Sequence, residues 1–186
     1  MNMENIIERI NIIKKNKKLV LIGIDGPCAS GKTTLAAKLA EALAAQVVHT
    51  DDFFLPFEMK TPERLSQPGG NVHYERFKEE VTKGIESGKL FEYGVYRCSE
   101  GRIAEKKAVI PEGIIIVEGS YSLHPSAELG YDLRVFVEAP LDVRLSRISE
   151  RNGKEKLKIF KEKWIPLENA YFEYYGIKNK CDIVVG

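Results

Sequence analysis

The sequence predicts an α/β fold built on a mostly parallel sheet of about five strands. Three observations lead to this class. Apolar runs rich in β-branched residues recur along the chain, patterns of helical spacing separate them, and residues 114–117 have the continuous hydrophobicity of a strand buried on both faces. The length of 186 residues suits one sizeable core, so we expect a single domain over residues 1–186.

The N-terminal part of the chain predicts two helices and two strands. Isoleucines at helical spacing indicate an amphipathic helix over residues 3–16, and residues 19–24 follow as a buried strand. After a glycine-rich turn, regularly spaced leucines indicate a second helix, and residues 46–50 form a short strand behind it. Residues 51–73 contain three prolines and a Gly-Gly pair, so we expect a long functional or mobile loop without regular structure.

The rest of the chain continues this alternation. Its predicted elements are a helix over 73–87, a β-hairpin over 90–110, and strands over 113–117, 132–137 and 182–185. Helical sequence also runs from Pro140 to Tyr175, and we expect it to break near Gly153 and at Pro166.

Charge and composition exclude several classes of protein. Lys and Arg number 28 and Asp and Glu 27, which gives a formal net charge of +1 and argues against a nucleic acid polymer or a membrane as partner. The three cysteines form no CxxC pair, so neither a disulfide framework nor a zinc site is indicated. No secretory signal is evident, and no stretch reaches the roughly 18 apolar residues of a membrane span. We therefore expect a cytoplasmic protein, with homo-oligomerisation left open.

The most informative motif is Gly-Pro-Cys-Ala-Ser-Gly-Lys-Thr, residues 26–33, which matches G-x-x-x-x-G-K-[ST] between a strand and a helix. Glycines let the backbone curl so that successive N–H groups point inward, and the helix N-terminus adds a positive dipole. The motif predicts a three-layer P-loop NTPase fold and a nucleoside triphosphate site. The candidate nucleotide-binding residues are Gly26, Pro27, Cys28, Ala29, Ser30, Gly31, Lys32, Thr33 and Thr34.

Within this phosphate loop (residues 26–33), two side chains have specific chemistry. Lys32 is expected to reach the β- and γ-phosphates, and the Thr33 hydroxyl to coordinate Mg²⁺. Glu118 directly follows the strongest predicted strand, where an acid can hold Mg²⁺ directly or through water. These residues predict a metal site composed of Thr33, Glu118 and an acid after the second strand.

That acid is Asp51 or Asp52, because both lie just past the second predicted strand. Ligands of open α/β sheets collect at the carboxyl ends of strands, so a carboxylate there points into the site. A hydroxyl acceptor needs a base within hydrogen-bond reach, and either aspartate would serve. The pair therefore favours phosphoryl transfer to a small molecule over nucleotide hydrolysis alone.

Three arginines, Arg144, Arg147 and Arg151, lie at i, i+3 and i+7 on one face of a predicted helix. Guanidinium groups on one face repel unless they are solvated or face an anion. We interpret the segment at about 140–160 as a lid that supplies positive charge to the phosphates.

A different class of protein is also compatible with part of the sequence. Residues 179–182, Asn-Lys-Cys-Asp, fit the N-K-x-D motif with which GTPases read guanine. The motif precedes the last predicted strand, close to residue 186, and no D-x-x-G follows a middle strand. We interpret it as a solvated turn with Asp182 at the start of a strand. A nucleotide-hydrolysing regulatory protein stays as the alternative.

Four segments together resemble the uridine kinase–phosphoribulokinase family of P-loop kinases. They are Gly-Ile-Asp-Gly-Pro-Cys-Ala-Ser-Gly-Lys-Thr-Thr (23–34), Thr-Asp-Asp-Phe-Phe (50–54), Val-Glu-Gly-Ser-Tyr (117–121) and Asp-Val-Arg-Leu-Ser-Arg (142–147). The resemblance implies a 2-3-1-4-5 parallel sheet and an ATP·Mg²⁺ donor. It also implies that Asp51 is the base and metal ligand, that Glu118 holds metal, and that Arg144 and Arg147 act from the lid.

The same resemblance suggests acceptor residues, which are Asp51, Asp52, Phe53, His73, Tyr96 and Arg97. Tyr96 matches a tyrosine of the small hairpin that grips the nucleoside in uridine kinases. Arg97 stands where those enzymes have an acid, and an arginine there suits an acceptor with an anionic group. The acceptor is therefore expected to be nucleoside-like, with pantothenate, nicotinamide riboside or a phosphorylated sugar as alternatives, and the choice between ATP and GTP stays open.

Overall fold

Five parallel strands form the central sheet of the protein, whose computed structural model describes residues 3–186. A separate antiparallel hairpin contributes two more strands, β3 and β4. The strands of the described residues are β1 Leu19–Asp25, β2 Gln46–His49, β3 Phe91–Arg97, β4 Arg102–Val109, β5 Gly113–Glu118, β6 Leu133–Val137 and β7 Ile183–Val185. The sheet order is β2-β5-β1-β6-β7. Without the hairpin strands β3 and β4 this is 2-3-1-4-5, so the predicted fold class and order are confirmed.

The helices follow the predicted alternation. They are α1 Met3–Lys14, α2 Lys32–Leu43, α3 Pro62–Ser66, α4 Tyr74–Phe77, α5 Lys83–Ser87, α6 Leu141–Ile159 and α7 Ile165–Tyr175. A π-helical turn, Lys78–Thr82, joins α4 to α5, and a second, Phe160–Trp164, joins α6 to α7. Among residues 3–186, no helix combines the length and hydrophobicity that crossing a membrane requires.

The sheet is covered on both faces because alternate residues of its strands point to opposite sides. Val20, Ile22 and Ile24 of β1 are fully buried and belong to the cluster that also contains isoleucines of α1 and Leu39 of α2. The opposite face packs against an aromatic-rich cluster that includes Phe53 from the loop after β2. The carboxyl ends of β1, β2 and β5 meet at one edge, where Ile24 pairs with Glu118 and Glu118 with His49.

Residues 51–73 differ from the expected irregular loop, since they contain three short helical turns. One is the 3₁₀ turn Thr50–Phe53, the next is Phe57–Met59, and the third is α3. The start of α3 is stabilised by its N-cap, because the Thr61 hydroxyl accepts a hydrogen bond from Arg64 N. Prolines that break a long helix are compatible with such short turns.

The expected breaks in the C-terminal helical segment are confirmed in one of two places. Gly153 has φ 83° and ψ 164°, which interrupts α6. Pro166 causes no break, because it lies in the first turn of α7, where its missing N–H costs little. Near the end of the chain, Arg134 N donates to the Asp182 carboxylate at 2.7 Å, so Asp182 lies at the start of a strand as predicted.

Candidate active site

The phosphate loop has the backbone shape of an anion-binding nest. Gly26, Ala29 and Gly31 have positive φ values of 142°, 58° and 112°. A side chain at Gly26 would bring Cβ within 2.0 Å of the Val137 carbonyl oxygen, so only glycine fits there. This curl leads directly into the N-terminus of α2, where the helix dipole favours negative charge.

Lys32 is buried at the base of the loop, with 6% of its surface exposed. Its Nζ donates to the Pro27 carbonyl oxygen at 2.9 Å and to Ser120 Oγ at 3.4 Å. The Ser30 hydroxyl is buried without a hydrogen-bond partner among the described residues. A buried cation and an unpartnered hydroxyl beside inward-curled amides fit the phosphate groups of a nucleotide.

Thr33 and Glu118 lie together where α2 begins and β5 ends. The Thr33 hydroxyl lies 3.2 Å from Glu118 Oε1, and His49 Nδ1 lies 2.6 Å from the same oxygen. This hydrogen bond to Glu118 raises the pKa of His49 above its ordinary value. Within residues 3–186, no three His, Cys, Asp or Glu side chains form a metal cluster of their own. Thr33 and Glu118 nevertheless fit Mg²⁺, which takes one or two protein oxygens and completes its shell with phosphate and water.

Asp51 lies in the 3₁₀ turn after β2 and lines an inner cavity of about 430 Å³. Asp51 is exposed to solvent within this recess, so its carboxylate is open to a bound molecule. Desolvation by the protein atoms around the recess is the main cause that raises the pKa of Asp51 to about 6. The charge of Lys32 opposes this rise, and the charges of Glu118, Glu168 and Asp52 add to it. A carboxylate with this pKa is a suitable general base near neutral pH.

A second cavity of about 610 Å³, here called the outer cavity, is lined by the last residues of the phosphate loop and the start of α2. Both cavities are lined by Ala29, Lys32, Thr33 and Arg151. The outer cavity also has Thr34, Lys38 and Arg147 in its wall, and the inner cavity has Asp51 and Glu118. The two cavities therefore adjoin at Lys32 and the residues beside it, with the start of α2 in the wall of the outer cavity and the acids in the wall of the inner one.

The three arginines of α6 do not share one environment. Arg151 lines both cavities, and Arg147 lines the outer one and donates to the Ala29 carbonyl oxygen at 2.9 Å. The position of Arg144 differs from the predicted one, since this side chain lines neither cavity and only 6% of its surface is exposed. Its Nε donates to the Cys28 carbonyl oxygen at 2.9 Å, so in this structure Arg144 binds the backbone of the phosphate loop.

Three predicted acceptor residues lie outside the inner cavity. Asp52 accepts hydrogen bonds from Tyr93 at 3.3 Å and from Lys107 at 3.0 Å, both on the hairpin. Phe53 is fully buried in the aromatic cluster, because the turn that presents Asp51 points the next two side chains away from the cavity. His73 caps α4, where its Nδ1 accepts a hydrogen bond from Arg76 N.

The predicted hairpin residues are also placed elsewhere. Tyr96 is buried in β3, and Arg97 pairs on the surface with Glu105 at 2.8 Å. Neither lines the inner cavity. Its wall instead contains Lys60 and Asn71 from the loop after β2 and Cys98 from the hairpin turn. The positive charge in this wall comes instead from four other residues, which are Lys32, Lys60, Arg151 and Lys156.

A buried polar network lies under the phosphate loop, and no motif of the sequence predicted it. The Asp25 carboxylate is fully buried and accepts hydrogen bonds from Gly26 N at 2.7 Å and from the Tyr171 hydroxyl at 2.7 Å. Burial raises the pKa of Asp25 to about 6. Glu168 of α7 reaches the same loop from the far end of the chain. The position of Asp25 directly before the loop was a usable signal, whereas Glu168 stands in no motif.

The sequence matches the model of one known protein family over most of its length. The sequence model of the phosphoribulokinase / uridine kinase family matches residues 21–158. The chain is 27% identical over 178 residues to uridine-cytidine kinase C of Dictyostelium discoideum, covering 90% of this chain and 39% of that protein. It is also 27% identical over 152 residues to the uridine kinase of Ligilactobacillus salivarius, covering 76% of this chain and 70% of the relative.

Comparison of folds gives a similar result. The structure of a possible uridine kinase from Bacillus stearothermophilus superposes with a TM-score of 0.70 at 19% identity. The superposition covers 98% of this chain and 100% of that one. At this identity the likeness concerns the fold, which is that of a P-loop kinase.

Proposed function

Because the chain belongs to the phosphoribulokinase / uridine kinase family, we propose that it transfers the γ-phosphoryl group of ATP to a hydroxyl of a small, nucleoside-like molecule. The observation that carries this proposal is the meeting of the two cavities at Lys32, with Asp51 in the wall of the inner one. ATP occupies the outer cavity and the loop, and the acceptor occupies the inner cavity.

The donor is held by groups that the loop presents at its concave side. The loop amides that lead into α2, together with the N-terminus of that helix, bind the phosphates, and Lys32 balances their charge. Mg²⁺, when bound between Thr33 and Glu118, would neutralise charge on the phosphate oxygens. Arg147 and Arg151 line the outer cavity and stabilise the negative charge of the transferred group.

Asp51 acts on the acceptor. Its carboxylate accepts the proton of the attacking hydroxyl and so directs the oxygen towards the γ-phosphorus. The O–P bond to the acceptor forms while the bond to the leaving ADP oxygen breaks, so the products are ADP and the phosphorylated acceptor. Lys32 lies at the boundary of the two cavities, where the transferred group passes.

The wall of the inner cavity supports a nucleoside-like acceptor. Trp164 and Phe160 offer aromatic surface for a ring, and Asn71 offers a hydrogen-bonding amide. Lys60 would also accommodate an anionic group, so acceptors with a phosphate or carboxylate belong in the same test.

The experiment is a panel of nucleosides, vitamins and sugar phosphates, each incubated with Mg²⁺ and ATP or GTP. The products are read by mass spectrometry. We expect one acceptor class to gain the mass of one phosphoryl group, with ADP formed in equal amount, and Lys32→Ala to abolish the reaction. Steady hydrolysis with no phosphorylated acceptor would favour a nucleotide-hydrolysing regulatory protein instead.

A further inference from the structure

Glu168 is a buried carboxylate to which the proposed reaction assigns no role. It belongs to α7, and only 4% of its surface is exposed. Its Oε2 accepts a hydrogen bond from the Cys28 backbone N–H at 2.9 Å, and its Oε1 accepts one from the Ser120 hydroxyl at 2.8 Å. A side chain late in the sequence thus contacts the phosphate loop directly.

Arg144 holds the same loop residue from the other side. Its Nε donates to the Cys28 carbonyl oxygen at 2.9 Å, and its Nη2 lies 3.6 Å from Glu168 Oε2. Both backbone polar groups of Cys28 are therefore bound by the two members of one buried ion pair. One member comes from the start of α6 and the other from α7.

The Ser120 hydroxyl connects this ion pair to the centre of the site. Besides donating to Glu168, its oxygen lies 3.1 Å from the Gly26 carbonyl oxygen and accepts a hydrogen bond from Lys32 Nζ at 3.4 Å. Glu168 is thus one hydroxyl group away from the lysine that binds the phosphates. It faces the inner cavity and the loop, whereas the other charged residue of α7, Glu173, is exposed on the helix surface.

Stability alone is a weak reason for such an ion pair. The free energy lost when two charges are removed from water offsets much of their mutual attraction. Apolar side chains of similar volume often stabilise a fold equally well. Preorganisation is a stronger reason. Loop amides point at a phosphate only while the loop carbonyls are held outward, and donors fixed before the reaction need no rearrangement during it.

We propose that Glu168 is a positioning residue of the phosphate site, which acts through its ion pair with Arg144 to hold the Cys28 peptide groups and thereby the nucleotide-binding shape of the loop. Its effect on phosphoryl transfer rests on the proposed function. Its effect on nucleotide binding does not.

The test uses Glu168→Gln, the double variant R144M/E168M, and Glu173→Gln as a matched control on the exposed face of α7. Mg·ATP affinity is measured by calorimetry and folding by thermal unfolding. For Glu168→Gln, which leaves Arg144 in place, we expect ATP affinity to fall about tenfold or more. The double variant removes both charges, so we expect thermal stability near that of the wild type, yet ATP affinity as low as in the single variant. Glu173→Gln should match the wild type in both measurements.

Two results would overturn the proposal. One is an unchanged ATP affinity in Glu168→Gln. The other is a double variant that recovers ATP affinity together with stability, because the pair would then be merely structural. If the single variant does not fold, the double variant decides by this second criterion. If the wild type binds ATP but phosphorylates no acceptor, the proposed function fails while the affinities still decide the role of Glu168.

Discussion

The Thr33 hydroxyl lies 3.2 Å from Glu118 Oε1, so the first turn of α2 and the end of β5 present their oxygens to one point. Glu118→Gln keeps the size of the side chain and removes its charge. We expect the Mg²⁺ concentration for half-maximal turnover to rise at least about tenfold, because a neutral amide is a poorer magnesium ligand than a carboxylate. Turnover as a function of Mg²⁺ at saturating ATP measures this.

The control for that variant is Glu112→Gln, because Glu112 is exposed and precedes the same strand at its opposite end. It should leave the Mg²⁺ dependence unchanged. An equal Mg²⁺ requirement in Glu118→Gln and the wild type would remove Glu118 from the metal site.

Asp51→Asn removes the proposed base but leaves the phosphate loop untouched. We expect transfer to fall by about 10²- to 10⁴-fold, the usual contribution of a positioned base, while calorimetry detects ATP binding of nearly unchanged strength. Asp52→Asn is the neighbouring comparison, because its carboxylate faces Tyr93 and Lys107 of the hairpin. Retained turnover in Asp51→Asn would contradict the assignment of the base.

The raised pKa of Asp51, about 6, predicts where activity is lost in acid. The base acts only when ionised, so kcat/KM should fall as the pH is lowered through about 6. An aspartate in water would place this limb near pH 4. The measurement is a pH profile of kcat/KM with Mg·ATP saturating. An acid limb at pH 4 would show that the carboxylate is not desolvated in the working enzyme.

Gly26→Ala should damage the loop because its Cβ would lie 2.0 Å from the Val137 carbonyl oxygen, at a φ of +142°. We expect a loss of at least about 2 kcal/mol in the free energy of unfolding and no measurable ATP binding. Gly130→Ala is the control, since its Cβ would meet nothing within 4 Å. Denaturant unfolding and calorimetry on both variants separate the local clash from a general effect of alanine.

Tyr171→Phe deletes the hydroxyl that donates to the buried Asp25 carboxylate at 2.7 Å. Hydrogen bonds to charged groups contribute about 1.5–3 kcal/mol, so the free energy of unfolding should fall by that amount at pH 8, where Asp25 is ionised. Tyr174→Phe, on an exposed tyrosine of the same helix, should change it by less than about 0.5 kcal/mol. Equal stabilities of the two variants in urea would show that the hydroxyl contributes nothing to Asp25.

Much of the fold and the phosphate-binding part of the site could be predicted because their signals are local. The spacing of apolar residues indicated the strands, and residues 26–33 carry the loop conformation in their own glycines. The order of the strands in the sheet was predicted only from the resemblance to the kinase family, because no local pattern specifies which strand lies beside β1.

The acceptor side could not be predicted, because it depends on contacts between distant segments. Asp51 and Asp52 are the same residue type side by side, and only the resemblance favoured Asp51 as the base. The 3₁₀ turn that contains both residues decides that Asp51 faces the cavity. The helical spacing of Arg144 with Arg147 and Arg151 predicted a lid arginine, but its ion-pair partner Glu168 is 24 positions away on another helix. The pairing of Arg97 with Glu105 likewise depends on the register of the hairpin.

The interruption at Gly153 lies between two attachments of the C-terminal helical segment to the phosphate loop. Before it, α6 is tied to the carbonyls of the phosphate loop, and beyond it α7 is tied to the same loop by Glu168. The stretch over 152–164 is therefore attached to the phosphate loop on both of its sides. Because Lys156 and Trp164 belong to this stretch and line the inner cavity, we expect any rearrangement of that wall to be a bend within the stretch and not the rotation of a free end.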